Sequence, residues 1–183
     1  KAMEALREGE LDFVAGSAHA TLTAFPNWDG AKLLVALAQH MYWFLVLRSD
    51  LCATRGDINA VKGLSIGAAP GPDKGLVGLL TEAGIDLERD EVTVAPVPGV
   101  LGPGISFGVH AAKSLEAGLI DGFWANGMGT EVAVRSGAGT VVLDVRRGDG
   151  PPAARDYTFP ALVASGIKIE ENPSEAAAAI RAL

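Results

Sequence analysis

Cysteine is nearly absent from this sequence of 183 residues, in which Cys52 is the only one. A single cysteine excludes an intrachain disulfide and a zinc site built from cysteine pairs. Histidine is scarce as well, because only His19, His40 and His110 occur, and none of them forms a His-x-x-x-His pair. We therefore expect no bound metal, and no phosphate loop or other motif indicates a cofactor.

Basic residues are few, and long uninterrupted apolar runs are missing. The 15 lysines and arginines are outnumbered by 22 acidic residues, which gives a formal net charge of -7. Neither nucleic acid nor an anionic membrane surface is therefore an expected partner. The longest apolar stretch, residues 31–47, is interrupted by Gln39 and His40, which favours two buried strands over a membrane-spanning helix. The chain starts at Lys1 without a signal peptide, so we interpret this start as a processing or artificial boundary.

What the sequence does contain is ample apolar material for a core, at 49% hydrophobic residues. Short runs of Val, Leu, Ile and Ala alternate with amphipathic stretches that stop at glycines, a pattern typical of an α/β protein with parallel strands. The predicted helices cover residues 2–8, 76–83 and 109–117 and the C-terminal segment from Pro173. The predicted strands cover residues 11–15, 32–38, 42–47, 64–68, 91–97, 120–124, 141–145 and 159–164.

Two polar segments, residues 49–62 and 146–155, interrupt this alternation, and we interpret them as crossings between two lobes. A short internal echo supports two similar halves, since the spacing Leu-x-x-Gly-x-x-Asp at residues 6–12 recurs at residues 115–121. Any helix that ends at a glycine before a strand would give the same echo, so that alternative stays open. The predicted lobes are residues 1–50 with 153–183, and residues 51–152.

In an open parallel sheet, ligands bind beyond the carboxyl ends of the strands. The loops at these ends are residues 16–19, 39–42, 70–74, 98–101 and 124–126. The 70–74 turn precedes a helix, so its backbone amides could hold an anionic or carbonyl oxygen, with Lys74 adding positive charge. The alternative is an ordinary strand-to-helix turn in which Asp73 caps the helix.

Aromatic and histidine side chains occur next to several of these loops. For Tyr42, Trp43 and Trp124, ligand contact and core packing are equally good explanations. His19 and His40 follow consecutive predicted strands, and we expect them to hydrogen-bond to ligand or backbone. The sequence Ala-Gly-Ser-Ala-His around Ser17 lacks the second glycine of the Gly-x-Ser-x-Gly elbow of serine hydrolases, so no catalytic residue is predicted.

Several segments, taken in order, resemble one family. They are Leu6-x-x-Gly9-x-x-Asp12, FLVLRSD at residues 44–50, VKGLSIG at 61–67, GLIDGFW at 118–124 and ENPSE at 171–175. Together they resemble the substrate-binding proteins of nitrate, sulfonate, taurine and thiamine-precursor ABC transporters. The resemblance spans nearly the whole chain, and the ordered set carries it rather than any single motif.

The resemblance implies a type II periplasmic-binding-protein fold, in which two α/β lobes hold a small molecule between them and deliver it to a membrane permease. It also implies a periplasmic or lipid-anchored extracytoplasmic location and a hinge motion at the two crossings. Compared with the family, the chain starts after the first strand and helix and ends before the C-terminal helices, so we expect it to be truncated at both ends. The predicted ligand-binding residues are Ser17, Ala18, His19, Gln39, His40, Tyr42, Pro70, Gly71, Asp73, Lys74, Gly99, Trp124 and Asn126.

The sequence leaves both the ligand and the function class open. An organic anion such as a sulfonate and a small heterocycle are the expected ligand classes. At residues 70–73 the chain has Pro-Gly-Pro-Asp where many relatives carry Ser or Thr with Gly, so it lacks the hydroxyls that would bind an oxyanion tightly. One alternative is an enzyme of cofactor biosynthesis on the same fold, with His19 and His40 as its acid and base. The other is the effector-binding domain of a transcription regulator, which an upstream helix-turn-helix would favour.

Overall fold

The computed structural model describes residues 2–99, 102, 104–157 and 159–183. It divides into two compact units, of which unit 1 is Lys1–His40 with Tyr157–Leu183 and unit 2 is Met41–Asp156. In chain order the helices and strands are α1 (Ala2–Arg7), β1 (Phe13–Ser17), α2 (Ala18–Ala24), β2 (Ala31–Ala36), β3 (Phe44–Arg48), β4 (Ser65–Ala68), α3 (Asp73–Glu82), β5 (Thr93–Ala95), α4 (Phe107–Glu116), β6 (Gly122–Ala125), α5 (Gly127–Arg135), β7 (Gly139–Asp144), α6 (Pro152–Asp156), β8 (Pro160–Ser165), α7 (Gly166–Glu171) and α8 (Pro173–Arg181).

Unit 1 is built on a three-stranded sheet in the order β1-β8-β2. Both β1 and β2 run antiparallel to β8, with Val14 opposite Val163 and Leu33 opposite the same residue. Met3 and Leu6 are three residues apart on α1, so they lie on one helix face, and both are buried against this sheet's core. The burial of this apolar stripe is what holds a six-residue helix that would not persist alone.

Unit 2 is built on a five-stranded mixed sheet in the order β5-β4-β6-β3-β7. β4 is parallel to both β5 and β6, whereas β3 is antiparallel to β6 and β7. The residues Leu45, Val46 and Leu47 are fully buried, which explains why β3 reads as a continuous apolar run instead of an alternating one. On one face of this sheet, α4 and α5 cover Phe123 and Val46.

Three expectations are corrected here. The sheets are not parallel throughout: unit 1 is antiparallel, and β3 and β7 run against β6, because apolar periodicity carries no information about strand direction. β3, expected in the first lobe, lies in the middle of unit 2. Residues 49–62, expected to cross between lobes, stay in unit 2 and form two short 3₁₀ turns, while the chain passes between units after His40 and after Asp156.

Four helices were not predicted, namely α2, α5, α7 and the short α6, which lies in a segment expected to cross between lobes. α2 contains His19, Thr21 and Thr23, and α5 contains Gly127 and Gly129 with the β-branched Val132 and Val134, so both segments have low helix propensity. Within the ranges described, no helix is long and apolar enough to cross a bilayer.

Candidate functional site

The candidate site residues of unit 2 gather at one edge of its sheet. The carboxyl ends of the parallel strands β4, β5 and β6 lie together at this edge. β3 begins there and β7 ends there, because Phe44 is opposite both Ala125 and Asp144. We call this the loop edge of unit 2; it consists of residues 42–43, 69–74, 96–99, 126–127 and 145–147. It therefore brings together Tyr42, Pro70, Gly71, Asp73, Lys74, Gly99 and Asn126, and Trp124 lies in β6 just before it.

The turn at residues 70–74 joins β4 to α3, as expected, and its amide groups are all engaged. Asp73 Oδ1 accepts hydrogen bonds from the backbone amides of Gly71 at 2.8 Å and Lys74 at 2.9 Å. The amide of Asp73 donates to the Ala69 carbonyl at 3.0 Å, and that of Gly75 to the Pro72 carbonyl at 3.1 Å. The carboxylate thus occupies the position at which the sequence suggested a ligand oxygen.

A histidine side chain contacts the loop after β5 through a hydrogen bond and ring packing. His110 Nε2 lies 3.0 Å from the Pro98 carbonyl, and the His110 ring packs against Gly99. Gly99 has a φ of +92°, which only glycine adopts without strain. The role of His110 is therefore to shape this loop. The rest of the predicted 98–101 loop, residues 100 and 101, lies outside the described residues.

Two tryptophans pack against each other beneath the loop edge of unit 2, with their rings tilted. The rings of Trp43 and Trp124 are 5.7 Å apart between centroids with an interplanar angle of 43°. Trp124 is fully buried and Trp43 is 7% exposed, so core packing accounts for most of their surface. Trp124 Nε1 is buried and has no acceptor among the described residues. An unmet buried N–H costs about 1–3 kcal/mol.

The N-terminus of α5 follows Trp124 directly. Asn126 is its N-cap residue, but the Asn126 side chain caps no amide of the helix. The first turn of α5 touches the first turn of α4, where Gly129 and Gly108 meet backbone to backbone. A side chain on Gly129 would collide with the Gly108 carbonyl, so this glycine pair permits the close approach of the two helices.

A cavity of about 410 Å³ opens beside this helix end, and it was not expected from the sequence. It is lined by Phe44, Gly127 and Thr130 and by the arginines Arg55, Arg146 and Arg147. The Arg146 guanidinium lies 4.3 Å from the Phe44 ring centroid, in cation-π geometry. The sequence signal at this cavity is the basic pair at residues 146–147, which lies in a segment expected to cross between lobes.

The arginines of this cavity are engaged by carboxylates. Arg146 donates from Nε and Nη2 to the two oxygens of buried Asp144, each at 3.0 Å, which raises the pKa of Arg146. Arg55 donates to Asp149 at 2.8 Å. Burial by itself would raise the pKa of Asp149, but this hydrogen bond and one from the Asp144 amide outweigh burial and lower it. The cavity wall is therefore a set of closed ion pairs.

In unit 1, the candidate residues also lie at one edge of the sheet. Ser17 is opposite Pro160, at the start of β8, and β2 ends at Ala36, which is opposite Ala161. Ser17 ends β1, Ala18 and His19 begin α2, and Gln39 and His40 follow β2. Ser17 Oγ is buried and has no hydrogen-bond partner in the described part of the chain.

His19 is held by two aromatic residues that the sequence did not single out. The Tyr157 hydroxyl lies 3.2 Å from His19 Nε2, the two rings pack edge to face at 5.2 Å, and Phe159 lies 6.0 Å away. The expectation that His19 and His40 follow neighbouring strands is wrong, because β8 separates β1 from β2. No group of three or more metal-binding side chains occurs among residues 2–99, 102, 104–157 and 159–183.

The sequence matches no protein-family model and no curated protein. Solved structures with the same fold do exist. The aliphatic sulphonate binding protein of Escherichia coli is 14% identical with a TM-score of 0.69, over 95% of this chain and 54% of that protein. The nitrate-binding protein of Synechocystis PCC 6803 is 14% identical with a TM-score of 0.67, over 97% and 49%.

A third similar structure is the sulfonate ABC transporter's periplasmic binding protein from Methylobacillus flagellatus KT. It is 18% identical with a TM-score of 0.65, over 97% of this chain and 49% of that protein. The chain thus spans about half the length of each of these proteins. Its fold is that of the type II periplasmic solute-binding proteins, as the resemblance implied.

Proposed function

We propose that this chain belongs to a solute-binding protein that captures a small molecule and passes it to an ABC-type membrane permease, without chemical turnover. The observation that carries the proposal is the shared backbone, since 95–97% of the chain superimposes on proteins that are described as binding sulphonates and nitrate. An extracytoplasmic location, with a lipid anchor or in a periplasm, belongs to the same proposal.

The loop edge of unit 2 supports the proposal from the residues themselves. Loops after three parallel strands meet there, and two helices of nine or more residues, α3 and α5, begin there. Polar backbone groups and helix ends at such an edge are the usual means of holding a small polar ligand. The ligand classes proposed are an organic anion, such as a sulfonate, and a small heterocycle.

The predicted contact residues form two sets that can be tested separately. The set in unit 2 includes Lys74 and Asn126, and the set in unit 1 includes Gln39 and His40. Single substitutions to alanine at Asn126 and Gln39 remove one polar side chain each. If a set contacts the solute, its variant loses affinity because a polar group of the ligand is left unpaired.

A thermal-shift panel tests the function. The solutes are nitrate, ethanesulfonate, taurine, benzoate and a series of pyrimidines. A ligand that binds only the native state stabilises it by about 2.7 kcal/mol at a hundred times its Kd, which raises the Tm of a protein of this size by roughly 5–10 °C. We expect at least one solute to do so, and a flat response to all of them would remove the central support for solute binding.

The control is an enzyme assay on the same samples. Any solute that raises the Tm is incubated with the protein and recovered, and its mass is measured. We expect the solute to be recovered unchanged. Conversion that disappears in a His40→Ala variant would replace this proposal with the enzyme alternative.

A further inference from the structure

One asparagine of this chain is followed by a glycine. The four asparagines are Asn27, Asn59, Asn126 and Asn172, and the residues that follow them are tryptophan, alanine, glycine and proline. An asparagine side chain can cyclise onto the amide nitrogen of the next residue, and glycine hinders this attack least because it has no side chain. Asn126-Gly127 is therefore the dipeptide of this sequence that is best suited to deamidation.

The fold leaves the Asn126 carboxamide accessible. Asn126 is exposed, and its side chain neither caps α5 nor makes another hydrogen bond within the described ranges. Its φ of −74° and ψ of 176° are extended, so this residue lies outside the helix, where a rigid backbone would hold the side chain away from the next amide. By contrast, Asn172 Nδ2 donates to Glu175 at 2.9 Å, and Pro173 has no N–H group that could attack.

The nucleophile of this reaction is the Gly127 amide nitrogen, and the start of α5 favours it. Gly127 is the first residue of this nine-residue helix, so its N–H has no acceptor in the helix, and it has none elsewhere in the part of the chain that the structure describes. The positive helix end favours the negative charge that forms on the nitrogen and then on the attacked oxygen. Thr130 Oγ1 also donates to the Asn126 carbonyl at 3.3 Å, which withdraws electrons from the same peptide group.

We propose that Asn126 is a modification site, at which the folded protein deamidates spontaneously and converts a neutral side chain at the loop edge of unit 2 into a carboxylate. The Gly127 nitrogen loses its proton to solvent and attacks Asn126 Cγ. The bond from Cγ to the side-chain nitrogen breaks, and this nitrogen takes up a proton and leaves as ammonia. Water then opens the cyclic imide at either carbonyl, which gives aspartate or isoaspartate at this position.

Peptide mapping of the aged, folded protein tests the proposal. Trypsin places the four asparagines on separate peptides, residues 8–32, 56–62, 114–135 and 169–181, so each is measured by itself. The protein is aged in mildly alkaline ¹⁸O-water and digested in ordinary water, so only oxygen gained before the digest is labelled, and fragment spectra distinguish aspartate from isoaspartate. We expect both labelled products at Asn126, formed about tenfold or more faster than at Asn59. Equal rates at the two residues, or conversion of Asn126 only after unfolding in urea, would overturn the proposal.

The matched variant is Gly127→Ala, which keeps Asn126 and hinders only the attacking nitrogen. A Cβ on Gly127 would lie 3.7 Å from Phe44 Cε2, an ordinary contact, and alanine favours a helix, so we expect this variant to fold. Gly127→Ala should slow conversion of Asn126 about tenfold or more, to the rate of Asn59, which alanine also follows. An unchanged rate in Gly127→Ala would rule out cyclisation through the Gly127 nitrogen.

The consequence for solute capture rests on the proposed function. The new carboxylate adds one negative charge at the start of α5 and repels an anionic solute held there. Asn126→Asp supplies that charge without ageing. Any anionic solute that raises the wild-type Tm should bind Asn126→Asp, and the deamidated fraction purified by anion exchange, about tenfold or more weakly. Equal affinities would overturn this consequence and leave the modification site in place. If no solute binds, the proposed function fails, and peptide mapping still decides whether Asn126 is modified.

Discussion

The contact between α4 and α5 makes a prediction whose size can be worked out from the structure. An ideal Cβ on Gly129 would lie 2.6 Å from the Cα of Gly108 and closer still to its carbonyl oxygen. Ordinary carbon contacts begin near 3.5 Å, so relief requires the helices to separate by about an ångström. Overpacking a tight contact typically destabilises by about 1–3 kcal/mol. Because the contacted atoms belong to the backbone and cannot rotate away, we expect Gly129→Ala to destabilise the protein by about 3 kcal/mol, the upper end of this range.

Two further glycines provide a graded comparison. A Cβ on Gly108 would meet the Gly129 amide nitrogen at 3.0 Å and the Asn126 side chain at 3.2 Å, so Gly108→Ala should cost less than Gly129→Ala. Gly78 is exposed in the middle of α3 with nothing within 4 Å, so Gly78→Ala should stabilise by about 0.5–1 kcal/mol through helix propensity.

The assay is urea unfolding followed by the fluorescence of the buried Trp43 and Trp124. With an m value of about 2 kcal/mol/M, the Gly129→Ala midpoint should fall by roughly 1.5 M and the Gly78→Ala midpoint should rise slightly. A Gly129→Ala urea midpoint that differs from the wild-type midpoint by no more than about 0.3 M would refute this packing of α4 on α5. So would a Gly108→Ala variant less stable than Gly129→Ala.

Three more predictions concern stability. Asp90 accepts hydrogen bonds from Arg89 and from the Asp86 amide, and these bonds lower the pKa of Asp90. The ionised carboxylate therefore stabilises the folded state fully above about pH 4, and this stabilisation is lost as the pH falls further. The stability difference between wild type and Asp90→Asn, measured by urea unfolding, should shrink from pH 7 to pH 3, and a constant difference would contradict the assignment. Asp144→Asn should lower the free energy of unfolding by about 1–2 kcal/mol, because it weakens the two hydrogen bonds from half-exposed Arg146. Urea unfolding at pH 7 measures this loss, and an unchanged midpoint would show that the ion pair is solvated. Leu45→Ala, at a fully buried position of β3, should cost about 2–5 kcal/mol in the same assay, and a loss below 1 kcal/mol would place β3 outside the core.

Much of the fold could be predicted because the apolar pattern of this sequence is regular. All eight strands were expected close to their positions, and α8 begins at Pro173 behind Asn172, as its capping pattern indicates. The glycines at residues 9 and 118 end α1 and α4 with φ of +76° and +69°, which is the physical content of the internal echo. Whether the echo also reflects similar lobes remains a prediction.

Strand direction and partner choice could not be predicted from local pattern. β8 enters between β1 and β2 after the whole of unit 2 has intervened, and β3 pairs with β6 and β7 instead of with its neighbour in sequence, β2. Such long-range pairings depend on packing between distant segments, and a period of two residues is the same for parallel and antiparallel strands. The expectation for β3 followed chain order and was wrong for that reason.

The candidate site, like the fold, could be predicted only in part. Loops at the ends of β4, β5 and β6 were correctly expected to share an edge, because that follows from parallel pairing. The engagement of the α3 amides by Asp73 was weighed as an alternative, and the structure shows it. The contact of Tyr157 with His19 was missed, since 138 residues separate them and neither carries a motif.

The most direct test of solute capture is isothermal titration calorimetry. The solute with the largest thermal shift is titrated into the wild type and into Asn126→Ala and Gln39→Ala. The account predicts one solute per chain in the wild type, with an affinity reduced about tenfold or more by Asn126→Ala, at the loop edge of unit 2. Absence of saturable heat in the wild type, or full affinity in Asn126→Ala, would contradict it.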